Sequence, residues 1–274
     1  MSDLKVRVIP HKRANVAWNL ALEEALFLKA KQDLLSGKQV QPIVKLYSFT
    51  KPSVVLGYMQ KINEVDLDFC DQNKINVTMR TTGGGSVYLE RDELQYSLIL
   101  PLNYSKEVLE RINKSICIAL QDVGFNPNLA IDNNHPVIRM DGKSFVFDAQ
   151  RRFKNLLLHH GTTMVQELDH ELQANALKAT KKEIKDLQKG MFFLRNGQQL
   201  KEKQLIKSFE KNLPQGASIF KKDFTNEEIK LAKQLYKNFY KNKEAFSKGK
   251  KQFGICYLPS TDYDMEKYAE EDKK

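Results

Sequence analysis

The sequence predicts an α+β or mixed fold, and three observations support this class. Short runs with alternating apolar residues, at 5–9 and 86–90 for example, are typical of strands. Two longer segments, 15–37 and 105–123, repeat apolar residues three and four positions apart, which is typical of helices. The length of 274 residues and the apolar content of 41% suit one large globular core.

The elements mix strands and helices along the chain. The predicted strands are 5–9, 43–49, 53–59, 76–80, 86–90, 94–102, 136–140, 143–149 and 155–165. The predicted helices are 15–37, 63–75 and 105–123, and the chain after residue 166 is predicted to be largely helical. Local signals support these boundaries: Gly124 ends a helix, Asp141-Gly142 favours a hairpin turn, and Thr225 with Glu228 forms a capping box.

The net charge is +10 at pH 7, with much of the excess carried by lysines in the last hundred residues. Such a charge suits nucleic acid, acidic proteins or anionic nucleotides as partners. We interpret it as a solvated surface and do not expect nucleic-acid binding, because no zinc finger, aromatic RNA-binding motif or heptad repeat accompanies it. A membrane helix of about 20 apolar residues and a secretory signal are both missing. We therefore expect a cytoplasmic protein.

The cysteines and histidines suggest no catalytic thiol and no metal site. Cys70, Cys117 and Cys256 form no C-x-x-C pair and no metal-binding spacing. Each is interpreted as a buried structural thiol in a reducing compartment. His159 and His160 also fit no metal-binding spacing.

Three consecutive glycines, Gly83, Gly84 and Gly85, follow Arg80 and precede a predicted strand. The segment is neither a P-loop nor a dinucleotide-binding fingerprint, because Gly-Lys-Ser/Thr and Gly-x-Gly-x-x-Gly are both missing. Bare backbone N–H groups beside an arginine can approach a phosphate or carboxylate closely. The alternative is a wide turn between two strands with Arg80 in solvent, and the spacing alone leaves both open.

Five segments in order resemble the lipoate-protein ligase family of the biotin/lipoate attachment superfamily. They are Asn-Leu-Ala-x-Glu at 19–23, the loop at 57–64 with Gly57, Gln60, Asn63 and Glu64, Arg-Thr-Thr-Gly-Gly-Gly-Ser-Val at 80–87, Asp-Gly-Lys at 141–143 with Ala-Gln at 149–150, and His-His-Gly-Thr at 159–162. The ordered set covers residues 13–165 and is more specific than any one segment.

The resemblance implies a mixed, mostly antiparallel sheet backed by helices, in a catalytic domain at 1–250. A C-terminal tail would occupy 251–274, without the accessory C-terminal domain of many ligases. The implied reaction uses ATP and Mg²⁺ to convert lipoate or octanoate into an acyl-AMP such as lipoyl-AMP. The acyl group then passes to a lysine of a lipoyl-domain protein, namely the H protein of glycine cleavage or the E2 subunit of a 2-oxoacid dehydrogenase. A separate accessory subunit is a further implied partner.

The resemblance also assigns site residues. The implied catalytic residues are Lys143 and Arg80. The implied substrate- or cofactor-binding residues are Gly83, Gly84, Gly85, Ser86, Val87, Asn134, His160, Gly161 and Thr162. In this assignment the glycine loop shields a mixed anhydride from water. Val87, Leu56 and Leu158 are candidates for the wall of an aliphatic slot, with ordinary strand core as the alternative. His160 is expected to fix the loop or to face the pocket.

The chain departs from the family pattern on the nucleotide side. The family lysine position is Ser144, and Lys143 replaces that lysine only if the turn slips by one residue, because adjacent strand residues face opposite sides. The family Gly-Ser is Phe147-Asp148, which would bring bulk and negative charge near a phosphate. The family Asn-Asp pair is missing in register, with Asn134 nearby.

These departures leave two hypotheses open. The first is a lipoate or octanoate ligase or transferase with an altered nucleotide site, and the retained Arg80 and glycines favour it. The second is a non-catalytic relative that binds a lipoyl domain or forms the regulatory half of a heterodimer. An ATP-independent acyltransferase is a further alternative.

Overall fold

The computed structural model describes residues 5–91, 93–102, 106–132, 135–194, 202–212 and 218–241. Asn134, Cys256 and the predicted tail at 251–274 lie outside the described residues. Within them, no helix is both long enough and apolar enough to cross a membrane.

Strands and helices alternate along the described chain. The strands are β1 (Lys5–Ala14), β2 (Ile43–Phe49), β3 (Ser53–Leu56), β4 (Asn76–Met79), β5 (Val87–Leu89), β6 (Leu94–Leu100), β7 (Asn128–Asp132), β8 (His135–Met140), β9 (Lys143–Ser144), β10 (Val146–Phe153), β11 (Leu156–Thr163) and β12 (Ser218–Lys221). The helices are α1 (Val16–Leu35), α2 (Leu67–Gln72), α3 (Lys106–Gln121), α4 (His170–Ala176), α5 (Lys181–Lys189), α6 (Glu202–Asn212) and α7 (Asn226–Leu235).

The strands form three sheets. The large sheet has the order β10-β11-β6-β2-β1-β12, and two small sheets have the orders β4-β3-β5 and β7-β8-β9. β1 is parallel to β2 and to β12, and β3 is parallel to β4, whereas the other described pairs are antiparallel. The predicted mixed, mostly antiparallel α+β fold is therefore confirmed.

The hairpin between β8 and β9 follows the predicted turn chemistry. Asp141 and Gly142 have φ values of 51° and 73°. Two consecutive left-handed residues are typical of the two-residue turn that matches strand twist. The strand predicted after this turn is interrupted at Phe145, whose side chain is fully buried. Phe145 therefore lies between β9 and β10.

Two strands were missed from the sequence because their apolar pattern is weak. β7 and β12 are short, and their residues are mostly exposed or half-buried. β1 is longer than predicted and changes register between Ile9 and Lys12. Such a β-bulge bends the strand and disrupts its pairing locally.

The large sheet carries helices on both faces. α1 begins at Asn15, whose side chain accepts a hydrogen bond from the N–H of Ala17, and its residues are buried on most sides. This all-round burial arises because α1 packs between the large sheet and α7. On the opposite face, Phe209 of α6 contacts the ring of Tyr96 in β6. The side chains of alternate strand residues therefore enter two different environments.

Candidate functional site

A cleft opens between the large sheet and the small sheet β4-β3-β5. Its volume is about 480 Å³ when its open mouth is included. Aromatic and aliphatic side chains dominate its walls, with a few polar groups between them. The cleft is lined by Leu20, Tyr47, Phe49, Val55, Arg80, Val87, Leu89, Gln95 and residues 147–149 and 160–162. This mixture of apolar walls and a few polar groups is typical of small-molecule sites.

Arg80 holds the glycine loop in place. Its Nη2 donates to the carbonyl oxygens of Gly83 and Gly85 at 2.7 and 2.8 Å, and its Nη1 donates to the carbonyl of Val55 at 3.1 Å. Arg80 is 7% exposed, so the alternative that placed it in solvent is wrong. Burial lowers the pKa of Arg80 to about 10, although the nearby Glu23 opposes this shift.

His160 connects the glycine loop to helix α1. Its Nε2 lies 2.7 Å from Oγ1 of Thr82, and its Nδ1 lies 2.8 Å from Oε1 of Glu23. Thr82 in turn accepts a hydrogen bond from Nε of Arg80 at 3.0 Å. Arg80, Thr82, His160 and Glu23 therefore form one buried polar chain. The expectation that His160 fixes the loop or faces the pocket is confirmed.

Glu23 is buried and surrounded by donors. Burial opposes its ionisation, but His160, Lys45 and Ser97 favour the charged form, so the pKa of Glu23 lies below its usual value. Ser97 and the hydroxyl of Tyr47 also donate to its Oε2. A buried carboxylate with this many partners is fully hydrogen-bonded, which makes its position rigid.

The turn after β3 packs directly on the glycine loop. A side chain on Gly57 would place Cβ only 1.8 Å from the carbonyl oxygen of Gly84, so this contact requires glycine. Gly84 itself has a φ of 92°, in the left-handed region. The side chain of Gln60 accepts from the N–H of Gly57 at 2.9 Å and donates to Oγ of Ser86 at 3.1 Å. The two loops are thus fixed to each other.

The structure brings most of the predicted site residues together. Arg80, Val87, His160, Gly161 and Thr162 line the cleft. The other predicted residues of the glycine loop lie between Arg80 and Val87, where two of the three glycine carbonyls bind Arg80.

Lys143 and two candidate wall residues lie elsewhere. Lys143 is exposed in β9, pairs with Met140 and does not line the cleft, so its catalytic role stays a prediction. Leu56 and Leu158 belong to the buried core and not to the cleft wall. For these two residues the alternative of an ordinary strand core is therefore the correct one.

The register of β10 against β11 places Phe147 and Asp148 on opposite faces of the large sheet. Ala149 pairs with His160, and both face the helix α1 side, whereas Asp148 pairs with Gly161 on the other face. Burial is the main reason why the pKa of Tyr96 is raised, and the charge of Asp148 on the same face raises it further. The expected bulk of Phe147 does line the cleft. Asp148 also lies among the lining residues, but its side chain, and so the expected negative charge, points to the opposite side of the sheet.

The described cysteines are buried thiols, as predicted. Cys70 is fully buried, and Cys117 is 8% exposed. Burial raises the pKa of the Cys117 thiol to about 11, which disfavours the reactive thiolate. Neither residue lines the cleft.

Sequence reasoning missed the supporting residues of the site. Glu23 was visible only as the last residue of a helix motif, and its contact with His160 spans 137 positions. Thr82 was visible only as part of the glycine-loop motif, with no role assigned to it, and Gln95 carried no signal of its own. Gln95 donates a hydrogen bond to Oγ1 of Thr162 at 2.7 Å, which joins two residues that line the cleft.

The lipoyl protein ligase A/B catalytic domain model matches residues 15–214. This match spans most of the chain and contains the cleft, the glycine loop and the polar chain. The chain belongs to the lipoyl protein ligase A/B catalytic domain family. This family assignment agrees with the five segments identified in the sequence.

Two curated relatives carry different activities in their names. Octanoyltransferase LipM of Clostridioides difficile is 26% identical over 279 residues, covering 87% of this chain and 97% of the relative. Lipoate–protein ligase 1 of Staphylococcus aureus is 29% identical over 177 residues, covering 62% of this chain and 51% of the relative. The family therefore includes both ligases and transferases.

Solved structures share the fold. Lipoate-protein ligase A bound with ATP superposes with a TM-score of 0.73 at 20% identity, covering 89% of this chain and 98% of that one. The bipartite lipoate protein ligase from Thermoplasma acidophilum also gives a TM-score of 0.73, at 21% identity, covering 89% and 97%. At this identity the likeness concerns the fold alone.

Proposed function

We propose that this chain is an enzyme of lipoylation that binds an octanoyl or lipoyl group in the cleft and transfers it to a lysine of a lipoyl-domain protein. The observation that carries the proposal is an apolar cleft that ends at a glycine loop held rigid by Arg80 and His160. Family membership supports the reaction class. The H protein of glycine cleavage and E2 subunits of 2-oxoacid dehydrogenases are the proposed acceptors.

The walls of the cleft suit an aliphatic chain. Leu20, Phe49, Val55, Val87 and Leu89 present apolar surface on several sides. Each methylene group buried there would contribute about 0.8 kcal/mol to binding. An eight-carbon acyl group therefore gains affinity mainly from its tail, and its carbonyl carbon can be directed toward the polar end of the cleft.

The glycine loop suits the reacting carbonyl. Arg80 occupies the carbonyl oxygens of Gly83 and Gly85. No described residue accepts a hydrogen bond from the N–H groups of the three glycines, so these donors are available to an acyl oxygen. Fixed backbone donors stabilise the negative charge that develops on that oxygen during acyl transfer.

The polar groups of the cleft favour an acyl donor that arrives already activated, such as an acyl thioester. The described cleft-lining residues include no lysine, and the guanidinium of Arg80 is occupied by backbone and side-chain acceptors. A triphosphate needs positive charge that can reach it. The name of the LipM relatives, octanoyltransferase, agrees with this donor class.

The second candidate is ATP-dependent ligation through an acyl-AMP such as lipoyl-AMP, favoured by the lipoate–protein ligase among the relatives. In this candidate Arg80 and Lys143 would face the phosphate, and the hairpin that carries Lys143 would have to approach the cleft. Among the described residues, no group of three His, Cys, Asp or Glu is placed to hold a metal ion. Mg²⁺ would then be bound chiefly by the phosphates of ATP.

One experiment separates the candidates. The purified chain is mixed with a lipoyl-domain protein and either an octanoylated carrier thioester or octanoate, lipoate and Mg·ATP. Mass spectrometry then measures acylation of the acceptor lysine. We expect acylation from the thioester, and its loss in Val87→Trp, which fills the cleft.

The remaining outcomes are equally informative. Acylation only with Mg·ATP, and its loss in Lys143→Ala, would establish the ligase. Acylation from neither donor, together with tight binding of the lipoyl domain, would overturn the enzyme proposal in favour of a partner subunit. A separate accessory subunit would be indicated if acylation appears only after cell extract is added.

A further inference from the structure

A second cavity lies on the α1 side of the large sheet, next to the β-bulge in β1. Its volume is about 450 Å³ when the open solvent at its mouth is included. The register of β1 shifts between Ile9 and Lys12, and both residues line the cavity. The cavity is lined by Ile9, Pro10, Lys12, Arg13, Ala14, Trp18, Asn19, Leu22, Lys45, Leu46, Tyr47 and Phe224.

The described lining combines positive charge with apolar surface. Lys12, Arg13 and Lys45 are basic, and no lining residue is acidic. Two described carboxylates interact with these cations from outside the lining. Asp223 pairs with Lys12 at the surface, and the charge of Glu23 in α1 raises the pKa of Lys45.

Lys45 is the buried member of this set. It is 2% exposed, its Nζ donates to the carbonyl of Asn19 at 3.0 Å, and it lies 3.3 Å from the ring centre of Tyr47. Burial lowers its pKa to about 7, although Glu23 opposes the shift. A buried ammonium is stabilised by an anion that reaches it.

The cavity is separate from the cleft. Within the described part of the chain, Tyr47 alone lines both. A molecule in the second cavity would therefore contact different walls from one in the cleft, chiefly Trp18, Leu22 and Phe224.

We propose that the second cavity binds a small amphipathic carboxylate, such as a medium-chain fatty acid, with its carboxylate at Lys45 and its chain against Trp18, Leu22 and Phe224. The buried cation, the lack of acidic groups in the lining and the apolar walls select this chemistry. The site does not depend on the reaction proposed for the cleft.

Trp18 provides the test, because it is the chain's single tryptophan and lines this cavity. The probe is 8-bromooctanoate, whose bromine quenches tryptophan fluorescence on contact. We expect saturable quenching in the full chain. Lys45→Met should weaken the apparent affinity by roughly tenfold or more, as expected for loss of a charge-assisted hydrogen bond.

Three controls keep the proposal open to refutation. Ala14→Leu narrows the cavity without touching Lys45 and should also weaken quenching, which covers the case in which Lys45→Met fails to fold. Val87→Phe narrows the cleft and should leave quenching unchanged. The neutral probe 8-bromooctanol should quench much more weakly. The proposal is overturned by unsaturable quenching, by equal quenching with the alcohol, or by quenching that disappears in Val87→Phe.

Discussion

The imidazole of His160 joins the carboxylate of Glu23 on α1, with 2.8 Å between Nδ1 and Oε1, and this contact determines how the glycine loop is held. Nε2 of the same ring lies 2.7 Å from Oγ1 of Thr82, next to Arg80. Helix, sheet and loop are therefore linked through one side chain. The following predictions concern this link and the loop that it supports.

Thr82→Val removes the hydroxyl that joins His160 to Arg80 while keeping the side-chain volume. We expect it to lower the free energy of unfolding by about 1–3 kcal/mol, because buried partners lose a hydrogen bond. Acyl transfer should fall roughly tenfold or more, because the loop is no longer fixed. Urea unfolding and a transfer assay measure the two effects.

The matched control for this substitution is Thr81→Val. Its hydroxyl donates to Oε2 of Glu24 at 2.9 Å, outside the link to His160. Thr81→Val should lower the free energy of unfolding, but it should reduce the rate of acyl transfer much less than Thr82→Val does. Equal losses of rate in the two variants would contradict a loop-holding role for Thr82.

Gly57→Ala tests the packing of the two loops. The new Cβ would meet the carbonyl oxygen of Gly84 at 1.8 Å, so the glycine loop must move. We expect a large loss of acyl binding, measured by isothermal titration with an octanoyl ligand. Gly190→Ala is the control, because its new Cβ would lie 3.5 Å from the nearest atom. Unchanged binding in Gly57→Ala would show that the loop position is not needed.

Glu23 makes stability depend on pH. A carboxyl group whose pKa is lowered by folding contributes stability above its unfolded value of about 4.3, and this contribution is lost as pH falls through the folded value. Glu23→Gln should cost about 3–5 kcal/mol at pH 7, because His160 and Lys45 lose a buried partner. The difference in the free energy of unfolding between wild type and Glu23→Gln should shrink below about pH 4.

Urea unfolding at pH 7, 5, 4 and 3 measures this dependence. Glu64→Gln is a suitable reference, because Glu64 also has a lowered pKa but lies in an exposed turn. A constant difference in the free energy of unfolding between wild type and Glu23→Gln down to pH 3 would show that folding does not lower the pKa of Glu23.

Acyl transfer should not need the two described thiols. The double variant Cys70→Ala and Cys117→Ala is expected to keep the wild-type transfer rate, since both thiols are buried outside the cleft. Cys256→Ser, tested separately, addresses the third cysteine. Loss of transfer, or a trapped acyl-thioester found by mass spectrometry in any of these proteins, would establish a cysteine mechanism.

The sequence predicted those features that depend on neighbouring residues. The hairpin at Asp141 and Gly142 follows from two residues that tolerate left-handed backbone, and the capping box at Thr225 follows from its own side chain and Glu228. Ordered motifs were sufficient to recognise the family. Local chemistry made the glycine loop beside Arg80 a candidate anion site, and the family resemblance favoured this over an ordinary turn.

The tertiary structure decided which side chains meet and which face of the sheet each one enters. Asp148 was expected to bring negative charge into the cleft, and it does lie among the lining residues, but its pairing with Gly161 turns its side chain to the opposite face of the sheet. The contacts of Glu23, Thr82 and Lys45 could not be predicted, because their partners lie on other elements. Long-range pairing and burial set their hydrogen bonds and pKa values, and neither is encoded in local spacing.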